Sequence, residues 1–292
     1  MQLSGIIAYP ITPFHPSTGE INLEVLQQSL EHLIEQGCDA IAPLGSTGES
    51  AYLSLAEWMN VAECSVNTVN KRLPVIIGIS ELTTSAAIIK AKYAERIGAD
   101  AIMVIPVSYW KLSDSEIQAY YQAIADNTSL PIMVYNNPGT SGVDMSPELI
   151  VKMAEEIDNI SMVKESSGDI QRMHKIFSLS QGKLPFYNGC NPLALEALCA
   201  GASGWCTAAP NLLGKHPKAL FEAVRSGELE SARQQFYQQL PLLHYIVAGG
   251  LPKTIKAGLN LLGLDAGIPR QPLQEASAED KAKLAEYMAA VQ

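Results

Sequence analysis

The chain is short of most residues that mark specialised chemistry. Aromatic side chains make up 7% of its 292 residues, with five phenylalanines and three tryptophans, so its core must be aliphatic. Basic residues are outnumbered, 20 Lys and Arg against 30 Asp and Glu, for a net charge of −10. An acidic chain with no basic stripe is a poor partner for nucleic acid or an anionic membrane. Single groups and backbone N–H donors still suffice for a small anion. Cysteine is limited to Cys38, Cys64, Cys190, Cys199 and Cys206. The odd count and the lack of a C-x-x-C pair point to a reducing, cytoplasmic setting. The five histidines are scattered with no H-x-H or H-E-x-x-H, so no dedicated metal site is expected. No apolar run nears the ~20 residues that cross a bilayer. The opening MQLSGIIAYPITPF lacks a basic start and meets Pro10 and Pro13 early, so it reads as a strand rather than a signal peptide.

What the chain does have is alternation. Short runs rich in β-branched residues lie at Gly5–Phe14, Ala40–Leu44, Pro74–Ser80, Ala101–Val107, Pro131–Asn137, Ile160–Glu165, Pro185–Cys190 and Gly204–Ala209. Stretches of helical periodicity separate them. Residues 23–37 place Val25, Leu26, Leu30, Leu33 and Ile34 on one face and close on Gly37, and 85–98 and 147–157 behave alike. The strand runs do not alternate strictly, as expected of parallel strands buried on both faces. Eight such units predict a (β/α)₈ TIM barrel, and the length suits one barrel of roughly 250 residues plus an extension. The competitor is an open doubly wound sheet, whose dinucleotide-binding form is disfavoured because no G-x-G-x-x-G follows the first strand. After about residue 210 only helix is read. The expected organisation is a catalytic barrel at 1–226 and a C-terminal helical extension at 227–292.

Chemistry in such a barrel sits at the C-terminal ends of the strands. On the sixth strand run, Lys164 closes an apolar stretch, and desolvation there favours the neutral, nucleophilic amine. The alternative is a side chain that snorkels to solvent. Tyr135 ends the fifth run, where a phenol can relay a proton; the alternative is a core tyrosine with a local partner. On the second run, Gly45 and Gly48 bracket Ser46 and Thr47, a turn able to offer backbone N–H groups and two hydroxyls to a carboxylate. It is not a P-loop, since no G-K-[ST] follows. Tyr109 and Trp110 stand on the loop after the fourth run, as pocket lining or as a subunit contact.

Together these residues resemble the dihydrodipicolinate synthase/N-acetylneuraminate lyase family of Schiff-base aldolases. The resemblance spans essentially the whole chain: TPF near the N-terminus, GSTGES at 45–50, YNNPG at 135–139, KESSGD at 164–169 and NG at 188–189. It implies a barrel with a C-terminal helical extension, assembled as a homodimer or homotetramer. It implies that Lys164 forms the Schiff base and that Tyr135 shuttles protons. By the same resemblance, Ser46 and Thr47 would hold the 2-oxo acid carboxylate, and Gly189 and Cys206 would line the pocket. Tyr109 matches an aromatic that reaches a neighbouring subunit's site in synthase members. The expected partners are a small 2-oxo acid and an aldehyde. No cofactor is expected, because the iminium supplies the polarisation a metal would supply elsewhere.

Departures from the family pattern bear on the substrate. Most dihydrodipicolinate synthases carry a carboxylate-binding arginine where this chain has Thr140, and losing such a partner weakens a carboxylated substrate by about 1.5–3 kcal/mol. Asn191 and Pro192 stand where sialic acid lyases carry an acidic pair, and Ser108 replaces the first tyrosine of the usual pair. Leu55, Trp58 and Ala86 replace the residues of the family's lysine-feedback pocket. The expected function is therefore a pyruvate-dependent lyase like dihydrodipicolinate synthase, with 2-keto-3-deoxy sugar-acid aldolases and dehydratases as rivals. Intact Lys164, Tyr135 and GSTGE stand against a non-catalytic binding or regulatory member.

Overall fold

The structure, a computed structural model, describes residues 3–291. Its eight strands are β1 (Gly5–Ala8), β2 (Ala40–Ile41), β3 (Ile76–Glu81), β4 (Ala101–Pro106), β5 (Ile132–Asn136), β6 (Ile160–Glu165), β7 (Phe186–Asn188) and β8 (Gly204–Thr207). They form one sheet in the order β2-β1-β8-β7-β6-β5-β4-β3, every pair parallel. The two ends meet. Ile41 bridges Val75, the Ile41 N–H donates to Pro74 O at 3.0 Å, and the Gly78 N–H donates to Pro43 O at 3.0 Å. The sheet is thus a closed barrel, which excludes the open doubly wound alternative.

Every residue of β1, β4, β5, β7 and β8 is buried, one face toward the barrel interior and the other beneath the helices. That double burial explains the missing alternation. The first expected helix runs from Leu23 to Glu35. The Asn22 side chain caps it by accepting from the Val25 N–H at 3.1 Å, and Val25, Leu26, Leu30 and Leu33 are buried. The helices expected at 85–98 and 147–157 run from Thr84 to Arg96 and from Pro147 to Glu156. The few large aromatics are placed where their polar atoms find partners: Trp58 Nε1 donates to Gly78 O and Trp205 Nε1 to Asn191 Oδ1, each at 3.2 Å.

Several strands stop earlier than their sequence runs. β1 ends at Ala8 rather than Phe14, and β2 at Ile41 rather than Leu44. Pro10, Pro13 and Pro43 have no N–H to offer a ladder, and Leu44 adopts a left-handed φ of 63°. The residues trimmed from the strands build the barrel mouth. After β8 the chain is helical, with long helices at His216–Arg225, Leu229–Gly249, Leu251–Leu261 and Ala278–Ala289. The boundary expected at 226/227 falls in the turn between the first two of these. Among the described residues, no helix is long and apolar enough to cross a membrane.

Candidate active site

Lys164 and Tyr135 are direct partners in the register of β6 and β5, so both side chains project from adjacent strands at the same height. Lys164 is only 4% exposed. Its Nζ lies 3.8 Å from the centroid of the Tyr135 ring and 4.0 Å from that of Tyr9, between two aromatic faces that attract a cation. Burial is the largest influence on the Tyr135 phenol and pushes its pKa up. The Lys164 charge more than offsets it, together with hydrogen bonds from Asn137, Lys164 and Ser46, so the phenol stands below its ordinary value. Asn137 Nδ2 donates to the phenol oxygen at 2.9 Å. The neighbouring groups behave oppositely. Burial, reinforced by Cys206 and Tyr135, holds Tyr9 well above its usual range, and burial pushes the Cys206 thiol up to about 11. Of the three, Tyr135 is the one whose surroundings ease its ionisation.

The turn after β2 is shaped by close backbone approach. Gly78 of β3 lies against it: a Cβ there would collide with Leu44 O and sit 3.0 Å from Gly45 N. A Cβ on Gly45 would reach the Tyr9 ring at 2.9 Å. The turn closes on itself, with the Gly48 and Ser50 N–H groups donating to Gly45 O and that of Glu49 to Ser46 O. Among the described residues, the N–H groups of Ser46 and Thr47 have no protein acceptor. Two adjacent N–H donors beside a lysine suit a carboxylate.

The remaining contacts hold Lys164 in place. Any side chain at Gly189 would overlap Ser166 Oγ, and its Cβ would lie 2.7 Å from Lys164 Cε. Glu165, next along β6, points away from Lys164 and is fully buried. It accepts from Asn136 Nδ2 at 3.0 Å, the Ser167 N–H at 2.7 Å and Arg172 Nε at 3.3 Å. Arg172 also binds Asp144, and Asn136 Oδ1 accepts from the Met145 N–H. This network ties the ends of β5 and β6 to the loops beyond them. Tyr9, Asn136, Glu165 and Arg172 all escaped the sequence reading. Tyr9 follows the first strand as Tyr135 ends the fifth, and the same strand-end rule would have found it.

Lys164, Tyr135, Ser46, Thr47, Gly189, Cys206 and Thr140 all line one cavity of about 600 Å³ at the barrel mouth. Thr140 is at its exposed rim, in the short helix Pro138–Ser141. Tyr109 is the exception. It is 90% exposed on the loop after β4, stacked edge-on against Trp110, and does not line the cavity. The loop carries it outward, so within one chain it does not join Lys164 and Tyr135.

A family model described as the dihydrodipicolinate synthetase family matches residues 2–291. The chain belongs to that family. A 4-hydroxy-tetrahydrodipicolinate synthase from Methanopyrus kandleri is 34% identical over 280 residues, covering 96% of this chain and 93% of the relative. A Pseudomonas aeruginosa crystal structure with a provisional dihydrodipicolinate synthetase name is 52% identical with a TM-score of 0.98, and 100% of each chain is covered. The dihydrodipicolinate synthase of Acinetobacter baumannii, solved with pyruvate, is 28% identical with a TM-score of 0.94, covering 100% of this chain and 99% of that one. Membership of the dihydrodipicolinate synthetase family makes this barrel a lyase.

Proposed function

We propose that this chain is a class I lyase that holds a 2-oxo acid, pyruvate in the first instance, as an imine on Lys164. The observation that carries the reading is the position of Lys164 Nζ, desolvated between Tyr9 and Tyr135 and beside the unengaged N–H groups of Ser46 and Thr47. In this reading the turn at Ser46 and Thr47 holds the carboxylate and sets the ketone carbon against the amine. Lys164 in its neutral form adds to that carbon. Tyr135, its phenol easier to ionise than usual, gives a proton to the departing oxygen, and water leaves. The iminium then draws electrons from C3. The same phenolate takes the C3 proton, leaving an enamine ready to add to an aldehyde; run backward, the sequence cleaves a C–C bond. The protein supplies this chemistry from its own side chains, with no further cofactor.

The pyruvate complex of the Acinetobacter baumannii relative supports pyruvate as the first substrate. We also place the chain in the cytoplasm as a homodimer or homotetramer. Its five cysteines are free, and the exposed Tyr109–Trp110 pair gives a neighbouring copy an aromatic contact that brings Tyr109 to the partner's cavity. The decisive experiment is reductive trapping. Incubation with pyruvate and borohydride should add one reduced pyruvate to the intact mass, and Lys164→Ala should abolish the adduct. Absence of an adduct with every 2-oxo acid tried would refute the reading.

A further inference from the structure

The cavity holds more than pyruvate needs, and its wall shows what else it accepts. Among the described residues that line it, Glu49 and Lys164 are the only charged ones. Neither is available to a second substrate. Lys164 nitrogen becomes part of the imine, and Glu49 is held by Lys256 at 2.5 Å. Arg172 is committed to Glu165 and Asp144, and Arg270 to both carboxylate oxygens of Glu57. In the same reading, the adjacent N–H groups of Ser46 and Thr47 belong to the first carboxylate. Toward solvent the wall divides: Asn137, Thr140 and Ser141 give it a polar side, and Tyr52, Val107, Val247, Leu251, Pro252 and Leu273 an apolar one. Four of the apolar residues come from the C-terminal extension, which thereby forms an oily lip over the barrel mouth.

Resting on the imine reading above, we propose that the second substrate is an uncharged aldehyde with an apolar tail, and that the extension's lip binds that tail. C3 of the Lys164-bound enamine bonds to the aldehyde carbon, and the former carbonyl oxygen takes one proton. Water then hydrolyses the imine, releasing a 4-hydroxy-2-oxo acid and free Lys164. A substrate bearing its own carboxylate would bury that charge against the lip with no cation to meet it, a loss of about tenfold or more. Each methylene placed on the lip gains roughly fourfold.

The test uses the full-length protein with pyruvate and follows product formation by mass spectrometry. Acetaldehyde, propanal and butanal measure the chain-length effect. Succinic semialdehyde against the similarly shaped 4-methylpentanal measures the cost of a carboxylate, and aspartate semialdehyde and glyceraldehyde complete the panel. The expected result is a kcat/KM that rises about two- to fourfold per methylene, with 4-methylpentanal at least about tenfold ahead of succinic semialdehyde. Best turnover with aspartate semialdehyde or glyceraldehyde, a flat chain-length series, or no aldehyde reacting would overturn the proposal. Borohydride trapping on the same samples separates the two levels. An adduct at Lys164 with the wrong aldehyde preference sinks only the substrate class; no adduct sinks both.

Discussion

Glu49 and Lys256 meet at 2.5 Å with neither side chain more than 1% exposed. Glu49 lies three residues past Ser46 and holds a left-handed φ of 54°. Lys256 belongs to the helix Leu251–Leu261, donates to Ile268 O at 3.1 Å and lies over the Phe14 ring. The other Glu49 oxygen accepts from the Arg270 N–H at 2.7 Å. The turn that carries Ser46 and Thr47 is therefore anchored from the C-terminal extension. Burial lowers the Lys256 pKa to about 8 against the pull of Glu49, which shows how fully the pair is desolvated.

Removing one partner of such a pair leaves a buried charge uncompensated. Lys256→Met should cost about 3–5 kcal/mol of stability in urea unfolding and raise KM for pyruvate. Adding Glu49→Gln should recover part of the stability. A Lys256→Met protein as stable as the parent would show that the pair does not hold the turn.

Arg270 grips Glu57 with both terminal nitrogens, at 2.7 and 2.9 Å. That hydrogen bonding, with smaller help from Ser54, lowers the Glu57 carboxyl from 4.5 to about 2 despite partial burial. A depressed folded-state pKa gives stability that is complete above pH 4.5 and is lost as pH falls toward 2. Urea midpoints measured between pH 6 and 2 should fall less steeply for Glu57→Gln than for the parent, and parallel curves would count against the pair's role.

Tyr135→Phe keeps the ring face over Lys164 and removes only the hydroxyl. Turnover should fall by about 10²–10⁴-fold, while borohydride still traps some pyruvate adduct. Unimpaired turnover in this variant would remove the phenol from proton transfer.

Gly189→Ala drives a methyl into Ser166 Oγ and toward Lys164 Cε. The barrel should still fold, because the collision is confined to the mouth, but the trapped adduct should drop by at least about tenfold as Lys164 is displaced from near-attack geometry. Circular dichroism and adduct yield from the same preparation check both halves.

Millimolar lysine should change neither activity nor melting temperature. Trp58, at one of the expected feedback positions, is a fully buried core residue whose indole N–H is taken by Gly78 O. A clear shift in either measurement on adding lysine would show a feedback site.

The barrel, and the gathering of Lys164, Tyr135, Ser46 and Thr47 at one cavity, were legible because both follow from local patterns. A lysine ending an apolar run and a tyrosine ending the run before it fall on paired strands, and the Gly-bracketed Ser46–Thr47 turn announces itself. What stayed hidden was non-local or contrary to propensity. Nothing about Leu44 signals a left-handed backbone, which is imposed by the tight approach of Gly78. Glu165 and Arg172 look like surface charges until β5 and β6 bring Asn136 and Asp144 to them. Lys256 reads as one more helical lysine, because its partner lies on the other side of the chain's fold. Tyr109 ends on an exposed loop outside the cavity, which its place in the sequence pattern does not foretell.

The anchoring of the Ser46–Thr47 turn by Lys256 and Arg270 also limits modularity. The boundary near residue 226 is the seam at which barrels and tails of related proteins would be exchanged. A chimera joined there would inherit the Ser46–Thr47 turn from one parent and its support from the other. Only pairings that carry both halves of the Glu49 and Glu57 contacts would keep the turn in shape.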